Sequence, residues 1–470
     1  MRSLHWFRND LRIRDNPALA ESARAGGGVL AAFIVDPKLM STSAGETPRH
    51  QLLRALIQSL QTELENRGVT LVVKAGQPAQ VIPTICREYE IDQVTWTEDY
   101  SPYAMNRDER LAGLLKDQGI RVRTHKSRVV FDYREILTKD GRPFSVYTPY
   151  WKRWYARLEE QTPTAEPIPR FRGLPSRPGT KTPTALAAAP SSIVELPASN
   201  EKAAARRLDR FLDRSVGNYA LDRDRPDLDG TSRLSPALRF GLLSPRQCVL
   251  RALEAVKDDP SRQKGATKWI NEIAWREFYS AILATHPSAV DCSIQPAYRN
   301  MEWNDDPNGL KAWREGMTGY PIVDAGMRQL SSTGWMHNRV RMIVASFLVK
   351  DLLIDWRIGE RHFFDHLLDG DPASNNGGWQ WAASTGHDAA PYFRIFNPTR
   401  QGERFDPDGH YVRRWVPELE GLAGAAAHRP WETPLMKGGY PEPIVDHAER
   451  RGLALERYKA ARETYEASGA

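Results

Sequence analysis

Positions 29–35 carry the segment Val-Leu-Ala-Ala-Phe-Ile-Val, an apolar run of strand length without a charged residue. Other short runs rich in Val, Ile, Thr or aromatic residues also predict strands: Leu4–Phe7, Val69–Val73, Gln93–Trp96 and Arg121–His125. Between them, apolar residues at helical spacing predict helices: Gln51–Asn66, Ala79–Tyr89 and Tyr103–Asp117. This alternation is typical of βαβ units, so residues 1–130 are predicted to form an α/β domain with a Rossmann-like, doubly wound parallel sheet.

The glycine triplet at positions 26–28 precedes the predicted strand at 29–35. In dinucleotide-binding enzymes the phosphate-binding turn follows a strand and opens a helix, so the order here is the reverse. We interpret the triplet as a helix C-cap and turn. The predicted sheet therefore lacks the phosphate-binding turn of a nicotinamide enzyme, although ligands of such sheets bind at the carboxyl ends of the strands.

The composition changes at Thr162. Between Thr162 and Ala198, eight prolines interrupt any regular pattern, at positions 163, 167, 169, 175, 178, 183, 190 and 197. We assign residues 131–200 to an interdomain linker, either extended over the surface or flexible. Beyond it the pattern is helical and predicts an all-α domain over residues 201–470 with these helices: Ala203–Arg214, Ser244–Val256, Lys268–Leu283, Val323–Ser331, His337–Lys350, Glu360–Leu368 and Ala448–Glu466.

Length and composition exclude several classes of protein. The 470 residues exceed what one hydrophobic core usually holds, and no apolar run approaches the ~20 residues that span a bilayer. The N-terminus has no apolar secretory segment, and Cys86, Cys248 and Cys292 form no CxxC pair. We therefore expect a cytoplasmic protein without a disulfide framework, a metal site or a membrane segment.

The net charge of +6 does not locate a nucleic-acid site, because residues 201–470 carry 37 basic and 37 acidic side chains. Tryptophan is more informative: ten of the 14 tryptophans lie beyond residue 200. A single tryptophan is usually core filling. An excess in one region makes stacking surfaces or redox-active aromatic residues worth considering.

Two helical segments each place a polar side chain and an aromatic or other apolar side chain on one face. Glu272 and Trp275 are three residues apart, which on a helix allows an indole to stack on a flat ligand while the acid bonds its edge. An amphipathic helix with an exposed Glu is the alternative. Asn338 and Met342 are four residues apart, and an amide with a thioether suits the edge and face of a heterocycle.

Two further segments have the composition of binding loops. Residues 229–236, Asp-Gly-Thr-Ser-Arg-Leu-Ser-Pro, place hydroxyls and an arginine before a proline-initiated helix, which suits either a phosphate or a simple N-cap. Residues 368–381 pair acids, amides and glycines beside two tryptophans and are predicted to be a polar loop. The order of ligands in a calcium loop is missing from that segment, so a metal ion is not expected.

The order of these motifs along the chain closely resembles the photolyase/cryptochrome family, and within it the class I cyclobutane pyrimidine dimer photolyases of bacteria. The residues that carry the resemblance begin with His-Trp-Phe-Arg-Asn-Asp-Leu-Arg at 5–12 and continue with Thr231–Ser235, Trp275–Tyr279, Gly319–Ala325, Gly334–Met342, Asp369–Trp381 and Tyr392–Pro398. The resemblance implies an α/β antenna domain, a linker and an all-α C-terminal FAD-binding domain.

The resemblance also implies which residues bind FAD. Phosphate and ribityl contacts fall on Tyr219, Thr231, Ser232, Arg233, Leu234 and Ser235. Further cofactor contacts fall on Trp269, Arg341, Asp369, Asp371 and Asn375, with Asn375 facing the flavin N5 atom. A chain of three tryptophans, Trp379, Trp356 and Trp303, would photoreduce oxidised flavin from the surface inward.

The implied activity is light-driven repair of DNA. Excited reduced FAD donates an electron to a dimer flipped out of the duplex, the cyclobutane bonds break, and the electron returns. The implied lesion-binding residues are Glu272, Trp275, Asn338, Met342 and Trp381, and contacts to flanking DNA fall on Trp275, Arg223, Arg339 and Arg394. The partner is damaged DNA, and a monomer is expected.

Two departures and two alternatives follow from the same resemblance. Folate-binding relatives carry an Asn-Glu pair and a later Lys, whereas Asn106 is followed by Arg107 and residues 289–293 contain no Lys. The antenna chromophore is therefore left open between methenyltetrahydrofolate and a deazaflavin, or an empty pocket. A cryptochrome signalling protein and a (6-4) photolyase are the alternative functions, disfavoured because Asn375 and the pair His337-Asn338 match the dimer-repairing enzymes.

Overall fold

A computed structural model describes residues 1–40, 46–175, 194, 196–197 and 199–468. The chain divides into two compact units. Unit 1 comprises Met1–Gly217 and Ser232–Thr285, and unit 2 comprises Asn218–Thr231 and His286–Ala470. This division follows compactness alone, so the functional boundaries at residues 130 and 200 stay a prediction.

A parallel sheet of five strands organises unit 1, as predicted. Its strands are β1 (Ser3–Phe7), β2 (Val29–Val35), β3 (Leu71–Ala75), β4 (Gln93–Thr97) and β5 (Arg121–His125), in the order β3-β2-β1-β4-β5. The strands β1, β2 and β4 are buried along their whole length. This explains the uninterrupted apolar run of β2, because a strand covered on both faces does not alternate with polar residues.

Nineteen α-helices are found in the described part of the chain. In chain order they are α1 (Pro17–Arg24), α2 (Pro37–Met40), α3 (Pro48–Glu65), α4 (Pro78–Tyr89), α5 (Pro102–Asp117), α6 (Tyr147–Glu160), α7 (Glu201–Arg214), α8 (Tyr219–Asp222), α9 (Ser235–Arg239), α10 (Pro245–Asp258), α11 (Gln263–Thr285), α12 (Pro307–Glu315), α13 (Pro321–Thr333), α14 (Asn338–Ser346), α15 (Trp356–His366), α16 (Pro372–Ala382), α17 (Pro398–Phe405), α18 (His410–Trp415) and α19 (His447–Ala467). A π turn, Phe347–Asp351, continues α14. Short 3-10 turns span Pro260–Arg262, Pro287–Val290, Pro296–Tyr298, Pro417–Leu419, Gly424–His428, Pro430–Glu432 and Pro434–Met436.

Many of these helices begin with proline behind a capping side chain. Thr47 and Ser244 form capping boxes at the starts of α3 and α10, and Asn16 caps α1. Proline suits the first helical position because its missing N–H would have no intrahelical partner there. Gly26 and Gly28 lie between α1 and β2 at φ +77° and +116°, so the predicted turn is confirmed, although the C-cap residue is Ala25.

One segment differs from its prediction, and the segment assigned to the linker is described only in part. Residues 368–381 are not a loop: Asp371 accepts hydrogen bonds from the N–H groups of Ala373 (3.1 Å) and Ser374 (3.0 Å) and thereby starts α16. The segment assigned to the linker contains the aromatic helix α6. The linker prediction also covers residues 176–193, which lie outside the described residues; just before them, Leu174 donates from its N–H to the carbonyl of Val29 (2.9 Å).

Each unit has its own apolar core. In unit 1 the core surrounds the sheet and includes Trp6 and Trp96. In unit 2 the buried stripe of α14, with Val340, Ile343 and Val344, packs in a cluster with other helices, as predicted from its spacing. Within the described residues, no helix is long and apolar enough to cross a bilayer.

Candidate active site

Three predicted site residues share one face of α11 in unit 1. Trp269 is buried, and Glu272 and Trp275 are half-buried at successive three-residue steps. The indole Nε1 of Trp269 donates to Ser232 Oγ (3.2 Å). The prediction that Glu272 and Trp275 lie three residues apart on one helix is confirmed. Trp269 lies three residues before Glu272, nearer the N-terminus of the helix.

Trp275 lies against a residue that the sequence analysis missed. The rings of Tyr147 and Trp275 are stacked, with centroids 3.5 Å apart and planes inclined by 12°. Tyr147 is the first residue of α6, in the segment assigned to the linker. The signal that could have found this helix is the spacing of Tyr147, Tyr150 and Trp154, at i, i+3 and i+7.

The buried carboxyl of Glu277 fastens α11 to its neighbours in unit 1. It accepts hydrogen bonds from the N–H groups of Val130 and Phe131 and from Trp154 Nε1 (2.7 Å). Burial raises the pKa of Glu277 to about 7, and the three donors oppose that rise only in part. Glu277 therefore holds the aromatic helix α6 against the helix that carries Glu272 and Trp275.

The predicted phosphate-binding segment, residues 231–235, is divided between the units. Ser232 belongs to unit 1, where its carbonyl accepts a hydrogen bond from Arg207 Nε (2.8 Å), while Tyr219 and Thr231 belong to unit 2. Arg233 has φ +49°, which is uncommon for a residue with a side chain. The following residues complete the turn: Leu234 is buried, and Ser235 opens the proline-initiated helix α9 as predicted.

In unit 2, α14 presents Asn338 and Met342 on its outer face. Asn338 is exposed and Met342 half-buried, one helical turn apart, while Val340 between them is buried. His337 precedes the helix as its N-cap, with its Nδ1 accepting from the N–H of Arg339 (3.2 Å). The predicted common face of Asn338 and Met342 is confirmed.

A second polar group in unit 2 consists of Arg341 and Asp369. Arg341 Nη2 donates to Asp369 Oδ2 (2.9 Å), and its Nε donates to the carbonyl of Met336 (2.9 Å). Asp369 is buried, and its Oδ1 receives no hydrogen bond from the described residues. A buried carboxylate oxygen without a donor is costly, so this oxygen is suited to a donor from a bound ligand.

The side-chain amide of Asn375 is oriented by Glu360. Asn375 Nδ2 donates both to the backbone carbonyl of Glu360 (2.9 Å) and to its Oε1 (2.8 Å). An ionised carboxylate only accepts hydrogen bonds, so the NH2 group must face Glu360 and the Oδ1 atom is directed away from it. The amide thereby presents its Oδ1 atom as an acceptor. The Oδ1 atom of the nearby Asp371, in contrast, accepts the N-cap hydrogen bonds of α16.

The three predicted electron-transfer tryptophans all lie in unit 2. Trp379 and Trp356 are buried, with exposures of 2% and 1%, and Trp303 is half-buried. Trp379 packs edge-on against Phe363, with ring centroids 5.0 Å apart. A Cβ atom at Gly359 would lie 2.1 Å from Cη2 of Trp379, so only glycine permits this packing of α15 on α16.

The predicted DNA-binding arginines have different surroundings. Arg339 Nη2 lies 2.9 Å from Asp224 Oδ1, and Arg223 Nε lies 3.6 Å from the same oxygen. Arg394 is exposed, and within the described residues its side chain has no ion-pair or hydrogen-bond partner. Trp381, predicted to bind the lesion, is half-buried, with its ring centroid 6.4 Å from that of Phe396.

The carboxyl end of β1 in unit 1 is filled by cations and aromatic rings. The guanidinium groups of Arg8 and Arg107 lie 4.7 and 4.8 Å from the ring of Trp6. Both arginines pair with Asp108. Arg107, which stands where folate-binding relatives carry Glu, is thus a structural member of this group, while the preceding Asn106 is exposed.

Comparison with known proteins covers nearly the whole chain. The family model for DNA photolyase matches residues 3–169, and that for the FAD binding domain of DNA photolyase matches residues 269–460. The deoxyribodipyrimidine photo-lyase of Escherichia coli is 41% identical over 98% of both chains. A bacterial class III photolyase from Agrobacterium tumefaciens superposes with a TM-score of 0.89 at 39% identity, covering 98% of each chain.

A cryptochrome from Synechocystis also superposes, with a TM-score of 0.86 at 28% identity over 97% of this chain and 98% of its own. The fold is therefore common to repair enzymes and cryptochromes, whereas the higher identities belong to photolyases. With about 40% identity over its full length and both characteristic regions matched, the chain belongs to the photolyase/cryptochrome family.

Proposed function

We propose that this protein is a deoxyribodipyrimidine photolyase, which uses light and reduced FAD to split cyclobutane pyrimidine dimers in DNA. The observation that carries the proposal is the face of α11, where an acid and an indole stand side by side and the indole is backed by another ring. Such a face suits an extruded, wedge-shaped pyrimidine dimer, which has apolar faces and carbonyl groups at its edges. The relatives named deoxyribodipyrimidine photo-lyase support the same activity.

The described side chains fit a flavin. Asp369 offers a buried acceptor without a donor, Arg341 offers a fixed cation beside it, and Asn375 offers an oriented amide oxygen. These groups match the imide edge and the N5 position of a reduced flavin, which carry N–H donors. When bound, FAD supplies the excited-state electron; the protein supplies orientation and the exclusion of water.

The lesion residues divide by chemistry. Trp275 and Trp381 provide aromatic faces for stacking, and Met342 provides an adaptable apolar contact. Glu272 and Asn338 provide hydrogen bonds to carbonyl and imide edges. A hydrogen bond between Glu272 and the dimer strengthens as negative charge develops on the dimer, and only interactions that strengthen in this way accelerate the splitting step.

The experiment that tests the function uses an oligonucleotide carrying one thymine dimer and fully reduced enzyme. Trp275→Ala should weaken binding of this DNA by about one to two decades, because stacking on an extruded base is worth ~1–3 kcal/mol. Binding of undamaged DNA should change little. Glu272→Ala should lose less affinity but lower the quantum yield of splitting in the bound complex. Undiminished yield in Glu272→Ala, or undiminished affinity in Trp275→Ala, would contradict the assigned roles.

We further propose that Trp379 is the first electron donor to oxidised flavin. Trp379→Phe should block photoreduction but leave repair intact once the flavin has been reduced chemically. The reason is that electron supply and dimer splitting use different tryptophans. Absorption at the oxidised-flavin band during illumination measures the first effect, and normal photoreduction in the variant would remove Trp379 from the chain.

Several finer assignments belong to this proposal. We assign the protein to the cytoplasm as a monomer, with damaged DNA as its partner. The antenna site of unit 1 holds a folate or a deazaflavin or is empty, and the absorption spectrum of the purified protein before and after denaturation would distinguish these three cases. We keep the assignment to the class I enzymes that the motifs imply, and note that one structural relative is a bacterial class III photolyase.

A further inference from the structure

We propose that Tyr147 is a positioning residue for lesion recognition: it holds the indole of Trp275 in the orientation that receives the dimer. The inference rests on the proposed function, because it assumes that Trp275 stacks on the lesion. It assigns a role to a residue that follows the last strand in the sequence and belongs to the segment predicted to be a linker.

Tyr147 is attached at two points to a single turn of α11. Its ring stacks on the ring of Trp275 at 3.5 Å, and its hydroxyl donates to the backbone carbonyl of Asn271 (2.7 Å). Asn271 precedes Trp275 by four residues, so this carbonyl also accepts the helical hydrogen bond from the N–H of Trp275. The tyrosine therefore contacts both the backbone turn and the side chain that Trp275 must keep in register.

The environment of Tyr147 is rigid, while that of Trp275 is half open. Tyr147 is 5% exposed and lies on α6, which Glu277 fastens to α11 through Trp154. Trp275 is half-buried, and among the described residues Tyr147 alone forms a coplanar stack with it; Tyr279 is tilted by 35° and Phe278 by 81°. One face of the indole is thus covered by a fixed ring, and in this proposal the base stacks on the opposite face.

A fixed indole binds a base more tightly than a mobile one. An immobilised side chain has already lost the rotamer freedom that binding would otherwise remove, at roughly 0.5–1.5 kcal/mol per side chain, which corresponds to about a two- to tenfold difference in affinity. Removing Tyr147 should therefore weaken binding of the lesion without changing the chemistry of splitting.

The test compares three variants at position 147 with a control in the same helix. Tyr147→Phe keeps the stacked ring and should bind dimer-containing DNA within about twofold of the parent. Tyr147→Leu and Tyr147→Met lose the ring and should bind it about two- to tenfold more weakly, with unchanged affinity for undamaged DNA and unchanged quantum yield in the bound complex. Tyr150→Leu removes a tyrosine that is also buried on α6 and packs on Tyr147 and Phe278 but does not stack on Trp275, and it should leave the ratio of the two affinities unchanged.

A double-mutant cycle separates this inference from the proposed function. In the Trp275→Ala background, Tyr147→Leu should have no further effect on the affinity for dimer-containing DNA. Two outcomes would overturn this inference but not the proposed function. One is that Tyr147→Leu loses as much affinity in the Trp275→Ala background as in the parent. The other is that Tyr147→Leu and Tyr147→Met bind with parental affinity while Trp275→Ala binds more weakly. Parental affinity in Trp275→Ala itself would overturn the placement of the lesion and the inference together. FAD content and melting temperature show that each variant is folded.

Discussion

At the scale of single residues, the carboxylate of Asp224 pairs with two of the three arginines that are predicted to bind DNA. Its Oδ1 atom lies 2.9 Å from Arg339 and 3.6 Å from Arg223, whereas Arg394 has no such partner among the described residues. The guanidinium of Arg339 also lies over the ring of Phe405, 4.5 Å from its centroid. Two of the three arginines are therefore already engaged by a carboxylate that DNA phosphates must replace.

We expect Asp224→Asn to bind undamaged duplex more tightly, by about two- to fivefold, because partly exposed ion pairs are worth ~0.2–1 kcal/mol. The log–log salt dependence should steepen by up to roughly 0.9 for each additional phosphate that a released arginine neutralises. Binding titrations at salt concentrations from about 50 to about 200 mM, a range in which phosphate contacts weaken, measure both the affinity and its salt dependence. Asp408→Asn is the control, since it makes the same charge change beside Arg225. Equal increases in affinity in both variants would show that net charge alone is responsible.

At the scale of elements, the packing of α15 on α16 depends on Gly359. Gly359→Ala would place a methyl group 2.1 Å from the indole of Trp379, and overpacking of this kind costs about 1–3 kcal/mol. We expect a lower melting temperature and slower photoreduction of the flavin. Gly378→Ala is a matched control on α16, because nothing lies within 4 Å of the added carbon there. That variant should be as stable as the parent or more so, by up to about 1 kcal/mol. Equal behaviour of the two alanine variants would contradict the importance of this contact.

The same pair of helices shows how far the sequence predicts the structure. The five strands and ten of the 19 described helices follow from periodicity, and their bounds shift by at most about five residues. The helix α16 was mispredicted because its paired asparagines and glycines disfavour helix in isolation. Tertiary contacts offset that cost: Asn376 Nδ2 and Gln380 Nε2 both donate to the carbonyl of Ala289, at 2.8 and 3.0 Å. Such partners are remote in sequence and cannot be found from local spacing.

The candidate site was predicted unevenly for a related reason. Pairs on one helix, such as Glu272 with Trp275 and Asn338 with Met342, follow from helical geometry. Contacts between elements, such as Tyr147 on Trp275 or Glu360 on Asn375, require the tertiary structure. The functional roles themselves came from the family resemblance and not from the spacing of residues.

At the scale of the whole molecule, Glu277 makes stability depend on pH. Burial raises its pKa to about 7, above the ~4.3 of a Glu in an unfolded chain. Between these values the folded protein binds a proton that the unfolded chain has released, so the free energy of unfolding falls as the pH rises. Glu277→Gln cannot ionise, and we expect its melting temperature to fall less between about pH 5 and about pH 8 than that of the parent.

The variant should nevertheless melt lower than the parent at the acidic end, because an amide replaces one accepting oxygen while three donors remain. Melting curves followed by circular dichroism in matched buffers give both comparisons. Parallel pH dependence in the parent and Glu277→Gln would assign the effect to other groups.

The face of α11 also determines a length. Trp269, assigned to the cofactor, and Trp275, assigned to the dimer, are six residues apart on one uninterrupted helix, which corresponds to about 9 Å along its axis. The backbone hydrogen bonds of the helix fix this spacing, whereas a loop would allow it to fluctuate. Since electron tunnelling falls steeply with distance, a narrow spread of distances means a narrow spread of rates. Electron transfer from the excited flavin to the bound dimer should therefore follow a single exponential. Its time constant should not change with solvent viscosity.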